Sequence, residues 1–188
     1  LGWYPGARGG KTIADILLGK LSPSGKLPVT FYHNEQLDRM PDFTDYAMKG
    51  RTYRFMEEEP LYPFGYGLTY GDVYVSGVSA AKTENGYTVE ATVTNDGSFD
   101  TQDVVQVYCQ NNGSANAPKN PRLCAFQRIT CAAGSTVKVK LTVSDEALKV
   151  VDANGNFIEE GSPVLYIGVG QPDSRTLALT GHEALSIE

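Results

Sequence analysis

Hydrophobic and polar positions alternate one for one over long stretches of the second half of the chain. Tyr87, Val89, Ala91 and Val93 interleave with Thr88, Glu90, Thr92 and Thr94, the period of two expected of a strand with one face in a core. Val137, Val139, Leu141 and Val143 repeat the pattern against Thr136, Lys138, Lys140 and Thr142. Residues 73–78, 104–109, 123–129 and 164–169 supply further strands, separated by Asn95-Asp96-Gly97, Asn112-Gly113, Ala133-Gly134 and Asn154-Gly155 turns. About seven short strands at this spacing predict a β-sandwich over residues 71–188. One helical turn within residues 144–151 is expected to cross between its sheets.

The first half follows other rules. Thr12 is placed to cap a short helix with Asp15 three residues on, and Ile13, Ile16 and Leu17 share one face before Gly19 stops it. A turn at residues 22–25 then leads to a short strand at residues 27–32, LPVTFY. One helix and one strand cannot bury their own apolar faces, so residues 1–34 are read as the C-terminal remnant of a larger α/β domain. Residues 35–59 form a polar, mostly irregular arm with a short strand expected at residues 53–56. Residues 60–70, PLYPFGYGLTY, hold two prolines, two glycines and four aromatic rings. Neither a regular helix nor a central strand holds that mixture; it is a shaped connector, closing the segment 35–70. Aromatic area favours burial, so Tyr62, Phe64 and Tyr66 are expected to seat it against the bodies on either side.

PLYPFGYGLTY, KGRTYRF at residues 49–55 and WYPGARGG at residues 3–10, in that chain context, resemble glycoside hydrolase family 3, the β-glucosidases and β-xylosidases. GSPVLYIGVGQPDSR at residues 161–175 resembles the last strand and exit loop of that family's fibronectin type III-like module. The resemblance implies a mainly β chain: a fibronectin type III-like, immunoglobulin-like sandwich preceded by a small α/β remnant and an irregular connector. It implies a C-terminal fragment of a retaining, exo-acting β-glycosidase, a support for catalytic domains that are its missing partners. A β-linked oligosaccharide would then be bound only in the complete enzyme. GRTYRF leans towards the β-xylosidase or arabinofuranosidase side. In the family the nucleophile is an Asp of a barrel domain and the acid/base a Glu upstream of the segment matching Trp3. Neither motif occurs here, so this chain is expected to be inactive alone. Trp3 and Arg8 are candidates to face the substrate cleft, with Trp3 as ordinary domain core the other reading. The family commonly has an amide and an acid where this chain has Ala7 and Arg8, which puts the hydrogen bonds made there in doubt.

Composition narrows the rest. The net charge of −6 and the lack of a basic run argue against nucleic acid, whose phosphates call for clustered Lys and Arg. No apolar run approaches the roughly 18 residues of a membrane span, and the opening residues lack signal-peptide order. Cys109, Cys124 and Cys131 are an odd set without CxxC spacing, read as buried thiols, with a Cys109 disulfide to either of the others left open; free thiols lean towards the cytoplasm. His33 and His182 stand apart with no ligand cluster, so neither metal nor cofactor is implied. A retaining hydrolase needs two carboxylates about 5–5.5 Å apart; Asp42, Asp45 and Glu57–Glu59 sit in the polar arm and are read as a solvated face. Residues 5–10 precede a helix as an anion site would, but match neither GxGxxG nor GxxxxGK[ST]. Arg51 and Arg54, flanking Tyr53, suit bidentate pairing and ring stacking. With Tyr53, Tyr62, Phe64 and Tyr66 they are the expected interdomain contacts. Tyr74, Tyr87, Tyr108 and Tyr166 follow strand periodicity more simply than a sugar platform. The reading of another class is a stand-alone carbohydrate-binding or adhesion module. The oligomeric state stays open, a homo-oligomer included.

Overall fold

The computed structural model describes residues 2–188; Leu1, at the head of the expected α/β remnant, lies outside them. Among the described residues, nine strands and five helices follow in chain order. α1 (Gly9–Leu17), α2 (Asn34–Leu37) and α3 (Thr52–Phe55) precede β1 (Val73–Thr83), β2 (Gly86–Asn95), β3 (Thr101–Asn112), β4 (Arg122–Cys131) and β5 (Ser135–Ser144). α4 (Asp145–Leu148), β6 (Val150–Val151), β7 (Phe157–Ile158), β8 (Ser162–Gly168), α5 (Ser174–Thr180) and β9 (Leu185–Ile187) complete it.

The fold is mainly β, a fibronectin type III-like sandwich. One sheet runs β1-β2-β5, the other β4-β3-β8-β9, and β6-β7 form a separate hairpin, all neighbours antiparallel. The alternating residues meet between the sheets. Val89, Ala91, Val93, Val139, Leu141 and Val143 from one pack on Val105, Val107, Cys109, Ile129, Leu165 and Ile167 from the other. Their polar neighbours, such as Glu90 opposite Lys140, lie on the outer face in register. Burial of such side chains, about 1.5–3 kcal/mol each, is what commits the alternating sequence to two sheets. Glu84 and Asn85 turn β1 into β2, and Gly86 follows at φ +133°. A Cβ there would lie 2.0 Å from the Val143 carbonyl, so no other residue fits that close approach.

β3 departs from simple alternation. Val105, Gln106, Val107, Tyr108 and Cys109 are all buried, because the outer face of this strand is roofed by the connector. α4 makes the expected helical turn after β5, its N-cap Ser144 Oγ accepting from the Ala147 amide.

Several local expectations are corrected. α1 starts three residues before Thr12, which sits inside the helix with its hydroxyl directed at the Arg8 carbonyl, 3.5 Å away; Arg8 is the N-cap and makes no side-chain cap bond. Gly19, at φ +69°, does end it. Residues 22–25 make no turn, and residues 27–32 reduce to one bridge between Phe31 and Tyr62, since Pro28 has no N–H to give a regular ladder. Residues 53–56 are not a strand: Thr52, at φ +55°, redirects the chain into the single turn α3.

Candidate functional site

The connector is the hub of the molecule. On one side it runs antiparallel to residues 27–31. The Leu27 amide donates to the Tyr66 carbonyl at 2.8 Å and the Gly65 amide to the Leu27 carbonyl at 2.8 Å. The Phe31 amide donates to the Tyr62 carbonyl at 2.9 Å and the Leu61 amide to the Phe31 carbonyl at 2.9 Å. On the other side it rests on β3. Gln106 Nε2 donates to the Gly65 carbonyl at 3.0 Å and to the Val169 carbonyl at 3.1 Å, and Tyr108 donates its hydroxyl to Gln106 Oε1 at 2.6 Å. Gly65 adopts φ +77°, and a Cβ there would come within 2.3 Å of Gln106 Oε1.

Aromatic rings fill the seam. Phe64 stacks on Tyr53 with centroids 4.2 Å apart, and both meet Tyr108 edge-on. Tyr62 stacks on Tyr66 at 5.6 Å and meets Phe31 edge-on. Tyr108 is fully buried, which drives its phenol well above the ordinary range. It belongs to the core rather than to an exposed sugar platform. Pro63 is fully buried beside it in sequence to Phe64.

The segment before residue 27 is stitched to the sandwich by every second side chain. Ser22 Oγ lies 2.7 Å from Thr101 Oγ1 and accepts from the Tyr70 amide at 3.0 Å. Ser24 Oγ accepts from Arg128 Nη2 at 2.7 Å, and Lys26 Nζ pairs with Asp103 Oδ1 at 2.7 Å. Both members of that pair are largely buried, their side chains 12% and 3% exposed. Burial pushes the Asp103 carboxyl up, against the pull of Lys26 and of the Val104 amide. Sequence reasoning missed this ladder, because an extended run with Ser, Ser and Lys on one side looks like a solvated turn.

The arm docks through Asn120, another residue without a sequence signal. Its Nδ2 donates to the Tyr53 and Met56 carbonyls, both at 2.8 Å, and its amide to the Arg54 carbonyl at 3.0 Å. Tyr53 Oη accepts from the Leu123 amide at 3.0 Å. Arg51 turns inward to the arm itself and donates to the Pro41 carbonyl at 2.8 Å and to the Asp42 carbonyl. Arg54 lies over the Tyr53 ring, 5.8 Å from its centroid. Beyond Arg51 the arm carries Phe43 and Tyr46 almost fully exposed.

Where arm, connector and sandwich meet, Thr30, Tyr53, Glu59, Asn120, Gln171 and Asp173 are among the residues lining a cavity of about 200 Å³. Its acids are engaged: Glu59 faces Arg175 Nη1 at 3.6 Å, Glu58 holds Arg39 bidentately at 2.8 and 2.9 Å, and Glu57 lies 3.8 Å from Lys119. Asp173 Oδ1 accepts from the Thr176 amide at 2.6 Å as the N-cap of α5, and burial raises its carboxyl, with nearby Glu59 adding to the rise. Arg175 Nε and Nη2 donate to the Leu61 carbonyl. Among the described residues no group of three His, Cys, Asp or Glu side chains could hold a metal. All three thiols are free, and burial moves Cys109 up to about 11 and Cys124 up to about 12, which leaves both protonated and unreactive at neutral pH.

Trp3 and Arg8 do not line this cavity. Trp3, at φ +40°, is 57% exposed, Tyr4 is bare, and α1 presents Ile13, Leu17 and Leu18 to solvent, Leu17 at 78%. Tyr70 holds this helix by donating its hydroxyl to the Ile16 carbonyl at 2.6 Å.

Comparison with known proteins matches residues 1–70 to the glycosyl hydrolase family 3 C-terminal domain and residues 103–171 to the fibronectin type III-like domain. A xylan 1,4-beta-xylosidase of Xylanibacter ruminicola is 40% identical over 95% of this chain and 21% of its own length. A periplasmic beta-glucosidase of Salmonella typhimurium is 32% identical over 89% of the chain and 24% of its own length. Among solved structures, a beta-glucosidase from Streptomyces venezuelae in complex with D-glucose superposes with a TM-score of 0.80 at 29% identity. That match covers 98% of this chain and 25% of the other. The chain thus spans about a quarter of the length of the relatives it matches.

Proposed function

We infer a supporting role from the premise that the chain belongs to glycoside hydrolase family 3 and carries that family's C-terminal domain together with a fibronectin type III-like domain. The role is to brace the catalytic domains of a retaining, exo-acting β-glycosidase. Residues 1–34 form the closing piece of the α/β sandwich domain, residues 35–70 the arm and connector, and residues 71–188 the bracing sandwich. Tyr53, Tyr62, Phe64, Tyr66 and the Arg54 backbone carry the contacts between these parts, whereas the Arg51 guanidinium, expected among them, stays within the arm, and Trp3 and Arg8 face the cleft of the complete enzyme. Similarity to a xylan 1,4-beta-xylosidase and to a beta-glucosidase supports β-xylosides and β-glucosides as the substrates of the complete enzyme.

One observation carries the reading. The connector is bonded through its backbone to residues 27–31 and through Gln106 to the sandwich, so the sandwich fixes the position of a segment belonging to the other domain. The reaction calls for two carboxylates facing one sugar, whereas Asp173 serves a helix cap and Glu57, Glu58 and Glu59 serve ion pairs. Purified chain incubated with aryl β-xylosides and β-glucosides is expected to release no aglycone. Turnover that follows the protein through purification overturns the proposal.

A further inference from the structure

Three Asn-Gly pairs stand at turns: Asn85-Gly86 between β1 and β2, Asn112-Gly113 at the exit of β3, and Asn154-Gly155 between β6 and β7. Glycine has no side chain to shield its own nitrogen, so in such a pair that nitrogen can reach the asparagine side-chain carbonyl and close an imide ring. Closure needs an unheld asparagine side chain, a glycine amide that is not already a donor, and room for the turn to fold on itself. Asn85-Gly86 lacks the room. Gly86 is buried opposite Thr83 in one ladder and Ser144 in the other, and a Cβ on it would stand 2.0 Å from the Val143 carbonyl and 2.9 Å from the Asp145 amide. Asn154-Gly155 lacks the free amide. The Gly155 amide donates to the Asp152 carbonyl at 3.0 Å, and Asp152 Oδ1 accepts from the Asn154 and Asn156 amides, both at 2.8 Å. Asn112-Gly113 meets all three conditions. Asn112 is exposed, and neither its side chain nor the Gly113 amide makes a hydrogen bond among the described residues. Gly113 sits at φ +79° with nothing within 4 Å of where a Cβ would lie.

We propose that Asn112 is a site of spontaneous covalent modification, converting through an imide to aspartate and isoaspartate, and that the fold protects the other two pairs. The Gly113 nitrogen gives up its proton and bonds to the Asn112 side-chain carbonyl carbon. The bond from that carbon to the side-chain nitrogen breaks, and the nitrogen takes up the proton and leaves as ammonia. Water then opens the ring at either carbonyl. One opening yields aspartate with the chain as before; the other yields isoaspartate, with the main chain routed through the side-chain carbon. Either product adds a negative charge at the exit of β3, and isoaspartate also lengthens the main chain at the start of the β3–β4 connection. Base speeds the first step because the attacking nitrogen must lose its proton.

The test holds the whole chain in mildly alkaline buffer, folded in one sample and unfolded by urea in another, and follows both by ion exchange and peptide mapping. In urea all three pairs are expected to convert at similar rates, each gaining the mass of an amide-to-acid exchange. In the folded chain the gain is expected in the peptide of Asn112 alone, with aspartate and isoaspartate forms separating on the column. Hydroxylamine, which splits the imide, is expected to cut the folded chain once, after Asn112. Asn112→Gln must close a larger and slower ring; folded, it is expected to lose the acidic species while keeping the wild-type Tm. Conversion of Asn85 or Asn154 in step with Asn112 in the folded chain overturns the proposal. So does an Asn112 that stays intact while the urea sample reacts, or acidic species that still accumulate in folded Asn112→Gln.

Discussion

Gln106 stands in β3 where the strand has a second buried face, and its three hydrogen bonds join connector, strand and the Val169 carbonyl. Gln106→Leu keeps the volume and strands two carbonyls and the Tyr108 hydroxyl. A cost of about 2–4 kcal/mol is expected, visible as a lower urea midpoint at unchanged slope. Lys26 and Asp103 make the opposite kind of contact, one that costs nearly as much to bury as it returns. Lys26→Met leaves the carboxylate alone and should cost about 3–5 kcal/mol at neutral pH, whereas Lys26→Met with Asp103→Leu should match or exceed the wild type. The pH dependence has a definite sign. Asp103 is raised above its unfolded value of 3.8, so the folded state holds the proton more tightly. Its contribution to stability is present in acid and lost as pH rises through the raised value. The deficit of Lys26→Met therefore shrinks on acidification, which denaturant melts across the acid range would show; a deficit independent of pH excludes this account.

At the scale of elements, the arm is an attached piece rather than part of the core. Asn120 Nδ2 serves the two carbonyls at the ends of α3. Asn120→Ala should speed hydrogen exchange and proteolysis across residues 35–59 and leave the β1–β5 amides as protected as before. Equal loosening of both would show the arm to be integral to the sandwich. The long strands were legible because Val89 to Val93 and Val137 to Val143 bury one face against solvent on the other. β6, β7 and β9 were not: two or three residues cannot display a period. α5 was not expected and only begins at the end of the segment that resembles an exit loop, although Asp173 followed by Thr176 and closed by Gly181 is a legible cap pattern. α3 resembled a strand because aromatic TYRF favours one, and only the left-handed Thr52 overrides that preference. At the site, the aromatic connector announced itself through composition. Ser22, Ser24, Lys26, Gln106 and Asn120 did not, since a polar residue shows its partner only once the fold has brought the two together.

Across the whole molecule, apolar surface is unevenly distributed. Tyr4, Ile13, Leu17, Leu18 and Leu21 are all exposed in the segment up to Leu21, an apolar surface of the kind that marks a contact site. Under the proposed function it faces the rest of the α/β domain. The isolated chain should bind a hydrophobic dye and self-associate with concentration, as light scattering on a sizing column would detect. Leu17→Lys with Leu18→Lys should reduce both while moving Tm by no more than about 2 °C. A larger loss of Tm would mean that these leucines pack within the chain.

The pairing of residues 27–31 with residues 61–66 joins two stretches of chain that flank the arm. Covalent continuity between them is thus not what keeps them adjacent. A protease that severs the peptide at the exposed Phe43 or Tyr46 would yield two pieces that stay together as a non-covalent complex, held by the backbone bonds between residues 27–31 and the connector and by the Ser22–Lys26 stitching. Denaturing electrophoresis would reveal two bands where gel filtration still finds one particle.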